Sequence, residues 1–542
     1  MKRIIFLFIA LICFHIAEGQ NPPITPAWAF RHIVWEDSLN TSAGARLILD
    51  GYLQRDIPVG GIIIDSPWST AYCDFNWDTG RYPDYREMGS YFKEKNVKVI
   101  LWMTGAVNCT SVDAPLQKHE AFDEIVARQY GINGSKPGNW WKGDGVFLDF
   151  TNPDAVKWWY MQLDKVFGDA VWGWKVDNGE SWLGTPMTTS KGVLGNSEFK
   201  PYYYDAMYDY TVSRNPDAII LARPYSHQTG YHSSVDKMSL GWCGDFDGDW
   251  KGMKLQIQNI YLSAKRGYGA VGCEVAGFWG PRSNKKQFVR YAQFGCMTAS
   301  MINGGSNGSF TNHLPWWHDK ETEDIYRYCV VLHDELIPYM FSTVVDAHFR
   351  GGSLIKDASF EEESHLLGDY LFTKVITSEN DEVSFHLPSE GEWIDLYTGE
   401  KYEGGTFIKK AYPLNQFPLF IKSGAVIPMD ISGSLTGIGD ESMKGRRTIL
   451  LYPDGVTHKV LHLPCGDGVD YTDCEVRYDK EKGHLKIRGE SDGSYTVLLR
   501  HVPEVRAIKN VSSWEYDKQK RELRIDCQGA EIDIDIAYKN RR

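Results

Sequence analysis

Two short stretches carry charge where the sequence is otherwise apolar. In "GWKVDNGESW", residues 173–182, a lysine, an aspartate and a glutamate interrupt a run that reads as a buried strand. In "GWCGDFDGDW", residues 241–250, Asp245, Asp247 and Asp249 follow a second such run. Buried charge is costly unless it is paired or put to use. Two carboxylates that flank one bond are the minimal equipment for hydrolysing a glycoside. One attacks the anomeric carbon or activates water, and the other protonates the departing oxygen. Asp177 and Asp245 suit these roles. Lys175 stands two residues before Asp177, on the same side of a period-2 strand, where its charge would keep Asp177 ionised. Asp245, framed by Trp242 and Trp250, would have its pKa raised by desolvation, as an acid requires. By residue type alone, Asp247 and Asp249 compete with Asp245 for the acid role.

Such a pair works only if a scaffold brings distant segments together. From residue 27 to about 340, short β-rich runs alternate with helical patterns: "AWAFRHIV", "GGIIIDSP", "VKVILWMTG", "VWGWKVDNG", "AIILARPY", "MSLGWCGD", "AVGCEVAGF" and "ASMINGG". Eight strands with crossovers predict a (β/α)8 TIM barrel, of class α/β. A doubly wound sheet is the rival, but no Gly-rich phosphate loop follows the first strand. Catalytic groups of a barrel sit at the C-terminal ends of its strands. Those ends carry Asp65, Trp102, Asp177, Arg223, Asp245 and Glu274. Trp35, Glu36 and Asp37 end the first strand, as ligand contacts or as a structural turn. The segment 106–152 is too long for a loop and predicts a lid or subdomain over the barrel mouth. Its Trp140 and Trp141, like Trp316 and Trp317 later, fit leaving-group stacking or lid packing equally.

Beyond about residue 342 the pattern becomes short alternating strands between Gly, Pro and Asp turns, which predicts one or two C-terminal all-β sandwich domains. The expected division is a signal peptide at 1–19, the barrel at 20–344, a proximal sandwich at 345–430 and a distal one at 431–542. The N-terminus supports the first of these: Lys2 and Arg3 precede an apolar stretch that ends in Ala17-Glu18-Gly19, a secretory signal with cleavage near Gly19. A secreted or periplasmic location follows as an expectation. No later segment offers about 20 unbroken apolar residues, so no membrane span is expected. The net charge of −13, without a basic run, argues against nucleic acid. The 19 Trp, 30 Tyr and 24 Phe fit a rigid core or a pocket that stacks sugar rings. Cys465 and Cys474 are the expected disulfide, if there is one. No metal-ligand spacing occurs, and neither a metal nor another cofactor is expected.

The motifs as a set resemble glycoside hydrolase family 31. "GWKVDNGE" looks like its nucleophile segment and "GWCGDFDGDW" like its acid/base segment, which implies Asp177 as nucleophile and Asp245 as proton donor. "IPVGGIIIDSPW" is similar to the second-strand motif, implying that Asp65 contacts sugar hydroxyls. "LARPY" implies Arg223 as a substrate-binding arginine, and "GCEVAGF" stands where the family has D-I-G-G-F, making Glu274 a conservative replacement. Lys175, and Trp102 and Trp242 as pocket walls, complete the expected substrate-binding set. "FLDFTNPDAVKWW", "HLLGDYLF" and "FPLFIKSGAVIPM" fall in the family's order. The likeness implies a secreted, exo-acting, retaining α-glycosidase without a cofactor, and a short member lacking the N-terminal β-sandwich. Its substrate would be an oligosaccharide or glycoside with a terminal α-linked sugar, with α-galactoside favoured over α-glucoside and α-xyloside. The alternative is a catalytically inactive carbohydrate-binding relative of the same fold. The family's sugar-binding histidine after the eighth strand is replaced by "SMINGGSNG"; His313, further on, is either its substitute or, as is commoner, a surface-loop residue.

Overall fold

Eight short parallel strands form a closed barrel: β1 (Ile33–Trp35), β2 (Gly61–Ile64), β3 (Lys98–Met103), β4 (Val171–Val176), β5 (Ile219–Ala222), β6 (Leu240–Trp242), β7 (Val271–Val275) and β8 (Met301–Asn303). They are joined in chain order, and β8 closes the ring by pairing with β1. The structure, a computed structural model, describes residues 21–539 apart from 39, 114–115, 169, 178–185, 281, 306–312, 490–493 and 512. The expected signal peptide lies outside the described residues.

Runs such as "GIII" in β2 and "VILWM" in β3 are buried throughout. Apolar β-branched and aromatic residues buried on both faces are what a parallel barrel strand needs. Between strands run α1 (Ser42–Leu53), α2 (Tyr85–Glu94), α3 (Pro153–Leu163), α4 (Asn196–Arg214), α5 (Trp250–Arg266) and α6 (Lys285–Gly295), with α7 (Lys320–Glu335) after β8. Asn152 caps α3 by accepting from the backbone N–H groups of Asp154 (3.0 Å) and Ala155 (3.4 Å), and Pro153 fits its first turn. Between β5 and β6 a small hairpin (Tyr225–Ser226 with Gly230–Tyr231) and a single 3-10 turn replace a long helix.

The segment 106–152 builds a subdomain: Ala106–Asn108, Gly143–Phe147 and Gly138–Trp140 form a three-stranded antiparallel sheet with the short helix Phe122–Arg128 beside it. The Trp140 indole N–H donates to Asn108 Oδ1 (2.8 Å), so that tryptophan is packing. Trp141, next to it, is 47% exposed.

After α7, helix α8 (Ile337–Arg350) leads into all-β structure: a six-stranded and a two-stranded sheet, then two five-stranded sheets. Val426–Asp430, expected to close the proximal sandwich, pairs antiparallel with Arg447–Leu451 and so belongs to the distal pair of sheets. The expected Cys465–Cys474 disulfide does not form. Strand register places Cys474 opposite Leu461, whereas Cys465 lies past the Pro464–Tyr471 pair at the hairpin end, and both thiols are free.

The tip of that hairpin, residues 465–470, reaches under the barrel. The backbone N–H groups of Ala27 and Trp28 donate to Gly468 O and Asp467 O (2.9 Å each), and Val469 N–H donates to Asp217 Oδ1 (2.9 Å). Arg31 and Lys98, at the N-terminal ends of β1 and β3, lie 3.8 and 3.9 Å from the Asp467 carboxylate. These contacts explain why "AWAF", expected as part of the first strand, is a 3-10 turn over Ala27–Phe30: its donors serve the hairpin. Among the described residues, no helix is long and apolar enough to cross a membrane.

Candidate active site

At the C-terminal ends of the strands lies a cleft of about 380 Å³. Asp37, Asp65, Ser66, Trp102, Trp141, Lys142, Lys175, Asp177, Arg223, Gln228, Asp245, Phe278 and Trp279 line it. Six of the eight residues expected at the site are in this wall: Asp65, Trp102, Lys175, Asp177, Arg223 and Asp245.

Arg223, just past β5, is the hub. Its Nη1 donates to Asp177 Oδ1 at 2.6 Å and its Nη2 reaches Asp245 Oδ1 at 3.3 Å. One planar guanidinium thus touches both carboxylates, and their spacing is set by the geometry of a single side chain. The Trp102 indole N–H donates to the other Asp177 oxygen at 2.8 Å. Each oxygen of Asp177 thus accepts from a different side chain. The backbone of Asp177 is fixed as well: its N–H donates to Met103 O (2.9 Å), and the Tyr203 hydroxyl donates to its carbonyl (3.2 Å).

Lys175 points into the cleft as expected, but its ion-pair partner is Asp65. Nζ lies 2.8 Å from Asp65 Oδ2, with both side chains buried. The ammonium also sits over the rings of Trp35 (3.5 Å) and Trp242 (4.6 Å), and Trp242 lies under the Arg223 guanidinium at 4.0 Å. Burial alone would drive Lys175 towards neutrality; Asp65, Asp177, Glu274 and Asp245 oppose it and hold the ammonium above its ordinary pKa. Cations on aromatic faces and beside carboxylates are a low-cost way to keep buried charge.

Asp245 is more open, with a side chain 31% exposed to the cleft against 15% for Asp177. Its carboxyl is raised above the usual carboxylate range. Desolvation by the surrounding rim is the largest cause, Arg223 opposes it, and the negative charge of Asp177 adds to it. Position separates the three aspartates of "GDFDGDW". Asp249 caps α5 by accepting from Gly252 N–H (2.7 Å), and Asp247 bridges to Trp279 through its backbone; neither side chain is in the cleft wall. Trp250, expected to frame Asp245, instead donates to Glu379 in the proximal sandwich (3.0 Å).

Two expected substrate contacts stand behind the wall. Trp242 is buried and supports the two cations from beneath. Glu274 is 0% exposed, and neither carboxyl oxygen makes a hydrogen bond of ordinary geometry. Burial pushes its pKa up to about 8, helped by the Asp245 charge and opposed by Lys175 and Arg223. Glu274 is thus buried and is not among the residues that line the cleft. His313 is neither a surface residue nor a cleft residue: it is buried, its carbonyl accepts from Asn303 Nδ2 (3.0 Å), and its ring packs against Gly305.

Residues that the strand-end reading passed over also line the cleft. Lys142 and Trp141 come from the subdomain, Gln228 from the hairpin after β5, and Phe278 and Trp279 from the loop after β7. Trp279 is 51% exposed and packs edge-on against Phe278, which in turn stacks on Trp35 (5.6 Å, 6°). A large indole left in solvent on a rim was the available signal. Among the described residues no group of three or more His, Cys, Asp or Glu side chains is arranged to hold a metal.

The family model described as the glycosyl hydrolases family 31 TIM-barrel domain matches residues 22–343. The chain belongs to this family. A second model, the family 31 C-terminal domain, matches residues 342–427. Among the family's relatives, an α-xylosidase of Emericella nidulans is 24% identical over 440 residues, covering 76% of this chain and 54% of that protein. An α-glucosidase 2 of Bacillus thermoamyloliquefaciens is 23% identical over 505 residues, covering 87% and 62%. The chain therefore spans little more than half the length of these family 31 relatives. Among solved structures, a cycloalternan-forming enzyme from Listeria monocytogenes aligns with a TM-score of 0.84 at 20% identity, over 96% of this chain and 55% of that one. A Flavobacterium johnsoniae family 31 dextranase aligns with a TM-score of 0.83 at 19% identity, over 95% and 71%.

Gly244, between Cys243 and Asp245, has φ +91°, and a Cβ there would lie 2.6 Å from Arg223 Nε. In this family 31 chain, Gly244→Ala should therefore displace the guanidinium that holds both aspartates. The expected outcome is a loss of kcat/KM of about tenfold to a hundredfold, with the protein still folded by circular dichroism.

Proposed function

We propose that the protein is a retaining α-glycoside hydrolase that releases a terminal sugar by double displacement. The observation that carries this reading is the single arginine touching both cleft carboxylates, which sets Asp177 and Asp245 on one reacting centre. Asp177, charged and held by Arg223 and Trp102, attacks the anomeric carbon and forms a glycosyl-aspartate. Asp245, with its raised pKa, first gives its proton to the leaving oxygen and then takes one from the incoming water. Asp65, held by Lys175, accepts sugar hydroxyls. No cofactor takes part in these steps. The names borne by the relatives described above, α-xylosidase, α-glucosidase and dextranase, turn the reading of the sugar from α-galactoside to α-glucoside. The reading also includes export, on the strength of the N-terminal pattern around Lys2, Arg3 and Gly19. Protein recovered from its native host should begin near Gln20 by N-terminal sequencing; a retained Met1 overturns that part.

Azide separates the two carboxylate roles. With an α-glycosyl fluoride, Asp245→Ala should form the glycosyl-enzyme and release it to azide as the α-glycosyl azide. Asp177→Ala should give the β-azide, because azide then attacks directly in place of the missing nucleophile. Product configuration by NMR decides, and the opposite pattern, or none from either variant, ends the assignment.

The pH profile should follow the same logic. Asp245 must be protonated for the first step, so kcat/KM falls as pH rises through its raised pKa. Asp177 must be ionised, so kcat/KM also falls on the acid side. The alkaline limb should lie above the ordinary carboxylate range and disappear in Asp245→Ala when a fluoride leaving group needs no proton. A limb unchanged in that variant would assign it to another group.

A further inference from the structure

Asp37 has no part in the chemistry derived above, yet it shares the cleft wall with the residues that do. We propose that Asp37 is a specificity-determining residue which, together with Asp65, accepts hydroxyl groups at the non-reducing end of the bound sugar, the end remote from the bond that breaks. This rests on the glycosidase reading.

The argument is one of register. Strands β1 and β2 are adjacent and parallel, with Val34 opposite Ile62 and Trp35 opposite Ile63. Asp37 and Asp65 each stand two residues beyond that last pair, so they leave the barrel at equivalent positions on strands about 4.8 Å apart. The two chain ends are tied together: Asn40 Nδ2 donates to both Asp37 O (3.0 Å) and Ser66 O (2.6 Å). The Asp37 backbone N–H donates to Glu36 Oε1 (3.0 Å) and faces Gly305 O (3.4 Å). The backbone that carries Asp37 is thus fixed before any ligand arrives, which is what a hydroxyl reader needs.

Position around the ring sets which part of the sugar it meets. In the closed order of strands, β1 lies across from β5 and β2 across from β6. Asp177, Arg223 and Asp245 follow β4, β5 and β6. A sugar whose anomeric carbon sits between Asp177 and Asp245 turns its far edge towards β1 and β2. Two neighbouring carboxylates there match two neighbouring hydroxyl donors, and they repel a carboxylate or sulfonate on the same edge. The substrate class that fits is a neutral sugar with free hydroxyls at that edge, which is the condition for acting from a chain end.

The test compares wild type, Asp37→Ala and Asp37→Asn on the α-glycosyl fluoride that the wild type hydrolyses best, and on its 3-, 4- and 6-deoxy analogues. Asp37→Ala should lower kcat/KM on the parent sugar about tenfold to a hundredfold, and Asp37→Asn by less. On one deoxy analogue, which the wild type itself handles poorly, the variant's deficit should shrink to under about threefold, because the hydroxyl that Asp37 reads is already gone. An equal deficit on every analogue reduces Asp37 to structural support, and no deficit removes it from the site; either overturns the proposal while the glycosidase reading stands. Wild type without turnover on any α-glycoside overturns both. Thermal unfolding checks each variant, and Asp37→Asn carries the comparison if Asp37→Ala does not fold.

Discussion

The site depends on two cations that the fold keeps out of water. Lys175 and Arg223 are both buried, and each is held by carboxylates on one side and the face of Trp242 on the other. An isolated charge in such a place is untenable, and so is an isolated carboxylate. Together they are stable only as a set, in which Lys175 answers Asp65 while Arg223 answers Asp177 and Asp245. That mutual dependence gives two aspartates of the same chemical type different surroundings. Asp177 is gripped by two donors, whereas Asp245 has one longer contact with Arg223, and desolvation together with the Asp177 charge raises its carboxyl above the usual range. Environment rather than residue identity makes the two carboxylates differ.

The barrel is what makes the set possible. Its parallel strands deliver side chains from segments far apart in the chain to one ring, and the register between neighbours decides who meets whom. Trp102 pairs in register with Lys175 across β3 and β4, which places the indole beside Asp177 just beyond the strand end. Gly244, with a backbone conformation closed to most residues, lets the chain turn past Arg223 before Asp245. Around this ring the subdomain and the loop after β7 add Trp141 and Trp279, so the opening is aromatic while its floor is charged.

Much of this could be read from residue order alone. All eight strands were visible as short apolar runs, because a parallel barrel buries both faces of each strand and leaves a continuous signal. Reading the residue that ends each run then gave Asp65, Trp102, Asp177, Arg223 and Asp245. What stayed hidden was everything that depends on neighbours across the ring. Lys175 lies two residues from Asp177 in sequence, but its partner comes from β2, and no local pattern says so. Glu274 ends its strand like the others and yet is buried behind the wall. Asp247 and Asp249 could be set aside only once Asp249 was seen capping a helix. The Cys465–Cys474 pairing and the place of Val426–Asp430 failed for the same reason, since strand register is a long-range property. Most rim contacts, including Lys142, Gln228 and Trp279, come from loops whose paths the sequence does not encode locally.

The hairpin tip at 465–470 bears on how the molecule is made. The ribosome releases the barrel strands well before residues 465–470 exist, so the contacts of Arg31 and Lys98 with Asp467, and of Asp217 with Val469, form much later. The base of the barrel is thus completed only after the residues of the distal sheets emerge. A chain that stops before residue 465 would carry every residue lining the cleft and still lack these contacts beneath the barrel.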